Sequence, residues 1–147
     1  MGFKGLLEVG VVFRGFILVN KHLKDSPQLE KKSEDSLTDP RGAFISAIDS
    51  FAKQAFSNVP LEYLESGALL FIFKLGEIKS SDSIAKEPII MYGLVEKPKK
   101  KTDKVVKSFL KEVQPLLDSF ITIYSNKDFS EADQFKIFKE NIVAHFS

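Results

Sequence analysis

Cysteine is absent from this 147-residue chain, and histidine occurs only twice, at His22 and His145. Without cysteine there can be no disulfide framework, no thiolate nucleophile, no cysteine-ligated zinc and no iron–sulfur cluster. A histidine-based metal site would need carboxylate ligands, and no Asp or Glu has the spacing for one. We therefore predict no metal and no cofactor. The lack of cysteine is compatible with a reducing, cytoplasmic location.

Long apolar runs and a strong excess of one charge are lacking as well. The longest purely apolar stretch covers residues 68–73, far short of the roughly 20 residues that a membrane-spanning helix needs. Lysine and arginine together number 21 and aspartate and glutamate 20, so the net charge is +1. This balance argues against nucleic acid as a partner, because such binding requires a basic footprint.

The motifs of common catalytic and nucleotide-binding sites are missing too. Gly10 and Gly15 have the spacing of a phosphate-binding loop, but an apolar pair follows in place of Lys-Ser or Lys-Thr. There is neither a dinucleotide-binding glycine fingerprint nor a serine flanked by glycines. His22 is expected at a strand end and His145 in the last turn of a helix, where structural roles suffice. We predict that the chain is not an enzyme and has no catalytic residues.

The chain does have enough apolar side chains for one core: 44% of its residues are hydrophobic, and 14 are phenylalanine. We predict a single domain over residues 1–147. Residues 7–13 alternate between apolar and other residues, which indicates a strand with one buried face. Arg14-Gly15 is a plausible tight turn into an antiparallel strand over 16–23. Glu8 would be buried only if both faces of the first strand were covered, and we expect it to be exposed.

The next part of the chain predicts a polar loop followed by a helix. Residues 24–39 are polar and predict a long loop. Asp39-Pro40 is typical of a helix start, and apolar residues then recur at helical spacing over residues 40–56. The apolar stripe is wide, because Ile45, Ala52 and Phe56 extend it to one side. These three side chains either meet the sheet or form a strip that a partner covers.

The second half predicts three more strands and two helices. The strands are expected over 61–65, 68–75 and 89–95, with a polar loop over 79–86. A long helix capped by Thr102 or Asp103 carries an apolar face as far as Tyr124, with Pro115 on its outer side. Ser130 with Asp133 resembles a second capping arrangement. A last helix carries an apolar stripe from Phe135 to Phe146. The order β-β-α-β-β-β-α-α predicts an α+β domain with one five-stranded antiparallel sheet flanked by three helices.

One basic cluster stands out between the last strand and the long helix. It has two interpretations, a solvated loop or a contact for an anionic surface such as anionic lipid or an acidic patch on a partner. Its members are Lys97, Lys99, Lys100 and Lys101.

This order of elements resembles the longin domain, a profilin-like α/β fold. A leading hairpin, a first helix, a three-strand meander and two closing helices cover nearly the whole chain. The related roadblock domain begins with a helix before its first hairpin, whereas here a strand starts within the first ten residues. The segment 39–52, Asp-Pro-Arg-Gly-Ala-Phe-Ile-Ser-Ala-Ile-Asp-Ser-Phe-Ala, looks like the first-helix pattern of longin and roadblock-like proteins of archaea related to eukaryotes.

The resemblance implies a non-catalytic module of the vesicle-trafficking type that binds a small GTPase or a second longin or roadblock protein. Family members pair through sheet edges or the first helix, as homo- or heterodimers. The implied interface residues here are Ile45, Ala52 and Phe56 on the helix, with Phe16 and Leu18 on the second strand. Such a protein would be cytoplasmic or peripheral at a membrane.

The alternative is a domain that senses a small molecule, because α/β folds with a curved sheet also form ligand pockets. An enclosed cavity with polar groups between sheet and helix would distinguish this alternative from a protein-interaction module.

Overall fold

The computed structural model describes residues 5–24 and 62–146. The predicted helix over 40–56, most of the predicted loop over 24–39 and the first residue of the strand expected at 61–65 lie outside the described residues. The described elements are β1 (Leu6–Phe13), β2 (Phe16–His22), β3 (Tyr63–Ser66), β4 (Leu69–Ile78), β5 (Glu87–Glu96), α1 (Thr102–Tyr124), a 3-10 turn (Ala132–Phe135) and α2 (Lys136–Phe146).

The five strands form one sheet in the order β2-β1-β5-β4-β3, with every neighbouring pair antiparallel. The prediction of an α+β fold with a five-stranded antiparallel sheet is thus confirmed. The β1–β2 turn has positive φ at both Arg14 (53°) and Gly15 (81°). Positive φ at both central residues matches the right-handed twist of a two-residue hairpin.

Strand β1 differs from its prediction, because all eight of its residues are buried rather than those of one face. The strand lies inside the sheet between β2 and β5. Apolar clusters line both faces of the sheet. Glu8 is therefore buried, at 3% exposure, and the expectation that it would be exposed was wrong.

One face of the sheet packs against α1 and α2. The predicted stripe of α1 is confirmed except that Leu116 joins it and Leu110 is only partly buried. Pro115 lies inside this helix on its exposed side, as predicted. The buried residues of this helix are Val106, Phe109, Val113, Leu116, Leu117, Phe120 and Tyr124.

Both predicted helix caps are replaced by other arrangements. Helix α1 begins at Thr102, and Lys101 occupies the N-cap position with left-handed backbone (φ 62°) and no capping side chain. Ser130 does not cap a helix, because its backbone N–H and its hydroxyl donate to Asp128 Oδ1, at 3.0 and 2.7 Å. Phe135 belongs to the 3-10 turn, so α2 starts one residue later than the apolar stripe suggests.

The other face of the sheet contains a buried polar pair. The hydroxyl of Tyr92 on β5 donates to Oε2 of Glu8 on β1 over 2.5 Å. Tyr92 is fully buried, and its ring passes over Gly10, where a Cβ atom would come within 2.5 Å of the ring. Gly10 thus makes the space in which the phenol reaches the carboxyl group.

Replacing Tyr92 with phenylalanine should lower the free energy of unfolding by about 1–3 kcal/mol, since it removes a hydrogen bond from a buried carboxyl group. Urea unfolding of both proteins measures this difference. The matched control is Tyr63→Phe, because the half-buried Tyr63 hydroxyl has no hydrogen-bond partner among the described residues. Equal stability of the Tyr92 variant and the parent would show that the pair contributes nothing.

Candidate functional site

The largest exposed aromatic side chain of the described residues lies at the tip of the hairpin. Phe16, the first residue of β2, is 73% exposed. Beside it is a cleft of about 310 Å³ whose apolar lining includes Phe13, Leu18 and Phe129. Leu18 is half-buried and packs against the core, so of the two predicted β2 interface residues only Phe16 is freely accessible.

The cleft is walled by aromatic contacts that fix its shape. Phe13 at the end of β1 meets Phe129 edge to face, with ring centroids 5.0 Å apart. The guanidinium carbon of Arg14 lies 4.9 Å from the centroid of the Phe13 ring, a cation–π distance. The hairpin tip is thereby attached to the segment that precedes α2.

Arg14 also links the hairpin to the loop between β4 and β5. Its Nε donates to Glu87 Oε1 over 2.9 Å and its Nη2 to Glu87 Oε2 over 2.5 Å, which is a two-pronged guanidinium–carboxylate pair. Its Nη1 donates to Asp82 Oδ2 over 3.2 Å. The left-handed backbone at Arg14 is part of the hairpin turn, so the conformation of the turn directs this side chain towards Glu87 and Asp82.

Two serines complete the network inside the loop. The Ser83 hydroxyl donates to Glu87 Oε2 over 2.6 Å, and the Ser80 hydroxyl donates to Asp82 Oδ1 over 2.6 Å. Both serines are buried. The loop is held from the other side by two backbone bonds, from Ser81 N–H to Lys127 O and from Asn126 N–H to Lys79 O, at 2.8 and 2.6 Å. The walls of the cleft are therefore preorganised.

The carboxylates around the cleft are stabilised in their charged form. Hydrogen bonds from Arg14 and then from Ser83 lower the pKa of Glu87 to about 2. Hydrogen bonds from Ser80 and Arg14 lower the pKa of Asp82, and Ser130 does the same for Asp128. The cleft thus combines apolar side chains with fixed charges of both signs at neutral pH.

Acid should weaken this network in a defined range. Because the pKa of Glu87 is lower in the folded protein than its ordinary value of 4.5, its contribution to stability is present above about pH 4.5 and is lost as the pH falls towards 2. We expect Glu87→Gln to remove this part of the acid dependence of unfolding. Urea unfolding over a series of pH values measures it, with Glu77→Gln at an exposed carboxylate as the control. Identical pH profiles for the two variants would contradict the assignment.

The predicted basic cluster lies at the opposite end of the sheet. Phe13 pairs with Ile89 near the cleft, whereas Leu69 pairs with Glu96 at the other end, immediately before Lys97. Lys97 Nζ lies 3.4 Å from Glu65 Oε2, and Lys99, Lys100 and Lys101 are exposed. Phe16 and the basic cluster, the two surfaces predicted to bind partners, therefore lie at opposite ends of the sheet.

Neither histidine lies at the cleft. His22 is exposed at the end of β2, as expected. His145 is in the last turn of α2, where its Nε2 lies 2.5 Å from the carbonyl oxygen of Glu112. In the part of the chain that the structure describes, no three histidine, aspartate or glutamate residues are grouped as metal ligands.

The remaining predicted interface residues, Ile45, Ala52 and Phe56, lie outside the described residues. The sequence did not predict the network of Arg14 with Asp82 and Glu87. These residues are 68 and 73 positions apart along the chain. A single sequence carries no periodic or motif pattern for such a pairing.

No family model, curated protein or solved structure matches this chain. Within residues 5–24 and 62–146, neither helix combines the length and the hydrophobicity needed to cross a membrane.

Proposed function

We propose that this protein is a non-catalytic interaction module that binds another protein through the hairpin end, with a small GTPase or a second longin or roadblock protein as its partner. The observation that carries the proposal is the exposure of Phe16 beside a preorganised cleft lined by both apolar and charged side chains. Aromatic residues are enriched at protein interfaces, and an exposed one beside an apolar depression is the usual form of an anchor.

The arrangement of the cleft supports a protein partner. Phe16 begins β2, which is an edge strand of the sheet. An edge strand beside an apolar depression is a common docking place for another chain. The charged rim of Arg14 and Asp82 adds groups that orient a partner and reject one of unsuitable charge.

The order of elements along the chain supports a small GTPase or a related domain as the partner. The described part of the chain has the leading hairpin, the three-strand meander and the two closing helices on which the resemblance to longin domains rests. Small-GTPase binding, pairing with a related domain and a role in a trafficking-type complex follow from that resemblance alone and form the hypothesis to be tested.

The packing of the sheet favours this proposal over a small-molecule sensor. Between the sheet and α1, the described side chains are closely packed aromatic and aliphatic groups, with Phe109 and Phe120 fully buried. The cleft at Phe16 and a second groove of about 480 Å³ beside Lys74 and Pro115 both open to solvent. A small-molecule sensor would instead enclose its ligand.

The test is binding to a panel of small GTPases loaded with GDP or a GTP analogue, together with light scattering after size exclusion for self-association. We expect Phe16→Ala to weaken the observed complex about 10-fold or more, as loss of an interface anchor does. The matched control is Ile137→Ala, which removes another exposed apolar side chain (67%) from α2. A parent protein that stays monomeric and binds no GTPase overturns the proposal, and equal loss in both variants overturns the role of Phe16.

A further inference from the structure

The end of the sheet opposite Phe16 gathers lysines from two connections and from the first turn of α1. β5 leaves the sheet at Glu96, and the loop that follows carries the basic cluster. Lys24 lies at the same end, because its backbone N–H donates to the carbonyl of Leu7 at the start of β1. Lys104 is in the first turn of α1. We call this surface the basic end, and its exposed lysines are Lys24, Lys97, Lys99, Lys100, Lys101 and Lys104.

Acidic groups at this end do not balance the lysines. The described carboxylates there are Glu65, Glu96 and Asp103, three against six lysines. Only Lys97 forms an ion pair with one of them among the described residues, with Glu65. Among the described residues the basic end therefore has an excess of three positive charges, although the net charge of the whole chain is only +1.

Among the described residues the basic end also lacks the exposed apolar side chains on which a protein interface is centred. In the described ranges the large exposed apolar side chains are Phe16, Ile84, Ile123, Ile137 and Val143, and none lies in the loop or strand ends of the basic end. Protein interfaces are centred on buried apolar or aromatic anchors. An anionic bilayer surface requires no such anchor, because lysines near it are attracted by charge alone.

From this arrangement we infer that the basic end is a docking face for the anionic headgroups of a lipid bilayer. The lysines follow the ends of β2 and β5 and the start of α1, so several of them can meet one anionic surface together. No exposed aromatic side chain of the described residues lies among them to stack on nucleic acid bases. A protein bound in this way holds Phe16 at the end of the sheet that faces away from the bilayer.

The inference does not depend on the proposed function, because it uses other residues and another partner. It is tested by sedimentation of the full chain with phosphatidylcholine vesicles that contain or lack phosphatidylserine. The test variant is the triple change Lys24→Gln, Lys99→Gln and Lys100→Gln, which leaves the Lys97 ion pair and the left-handed backbone of Lys101 intact. The control is Lys79→Gln, Lys86→Gln and Lys127→Gln, which removes three exposed lysines from the other end.

We expect the parent protein to bind only the vesicles with phosphatidylserine and to be released as salt is raised, because exposed charges are screened. The basic-end variant should bind on the order of 100-fold more weakly, whereas the control variant should bind as the parent does. Circular dichroism confirms that each variant is folded. The inference is overturned if the parent ignores phosphatidylserine, if both variants lose binding equally, or if the parent binds nucleic acid and not the vesicles.

Discussion

Replacing Phe120 with alanine should lower the free energy of unfolding by about 3–5 kcal/mol, the range for deleting a fully buried phenylalanine. Phe120 has no exposed surface, and it lies where α1, the 3-10 turn and α2 meet. Its ring centroid is 4.6 Å from that of Tyr124, 5.8 Å from that of Phe135 and 4.9 Å from that of Phe138. The loss has two parts. The favourable transfer of the ring from water into the core is lost, and a cavity remains because the surrounding aromatic rings do not fill it.

Denaturant unfolding measures this effect through the midpoint and the slope of the transition. The matched control is the same substitution at Phe16, where the ring is already in water and the expected change is within about 0.5 kcal/mol. This control connects stability to function, because Phe16→Ala should weaken partner binding while leaving the fold intact. An equally small loss at both positions would contradict the prediction for Phe120.

The parts of the fold that follow from periodicity could be predicted from the sequence. The faces of α1 and α2 repeat every 3.6 residues, so Phe109, Phe120 and Phe138 were placed correctly in the core. Gly15 marked the hairpin turn for the same local reason, since glycine adopts positive φ without strain. Both patterns depend on residues close together in the chain.

Burial on the second face of a strand could not be predicted in this way. Whether Glu8 is exposed depends on which strands flank β1, and the order β2-β1-β5 is a property of the whole sheet. The partner of Glu8, Tyr92, is 84 positions away. The Ser130 cap fails for a local reason, because the Ser130 hydroxyl donates to Asp128 Oδ1 instead.

The candidate site was likewise predicted only in part from the sequence. Phe16 was predicted as an interface residue through a family resemblance, and its exposure is compatible with that role. The polar walls of the cleft were not predicted, because Arg14 meets Glu87 only after the hairpin and the β4–β5 loop come together at one end of the sheet. The basic cluster could be found from sequence because its lysines are adjacent in the chain, but its position far from Phe16 required the topology.

Adding one methyl group at Gly93 should lower the free energy of unfolding by about 1–3 kcal/mol. Gly93 lies on β5, where it pairs with Val9 of β1 and Ile72 of β4, both fully buried. A Cβ atom at this position would overlap the ring of Phe109, which packs over the glycine from α1. The ring cannot retreat cheaply, because it is fully buried and stacks on Phe146 of α2.

The control and the rescue for Gly93→Ala come from the same face of the sheet. At Gly76 on β4, a Cβ atom would lie 3.2 Å from the terminal carbons of Ile121 and Leu117, which can shift, so Gly76→Ala should cost less. Phe109→Leu removes the ring that clashes, and the double variant Gly93→Ala with Phe109→Leu should be more stable than the sum of the single changes implies. Additive losses in this double-mutant cycle would show that the alanine destabilises β5 for another reason and that the close approach of α1 to the sheet does not depend on Gly93.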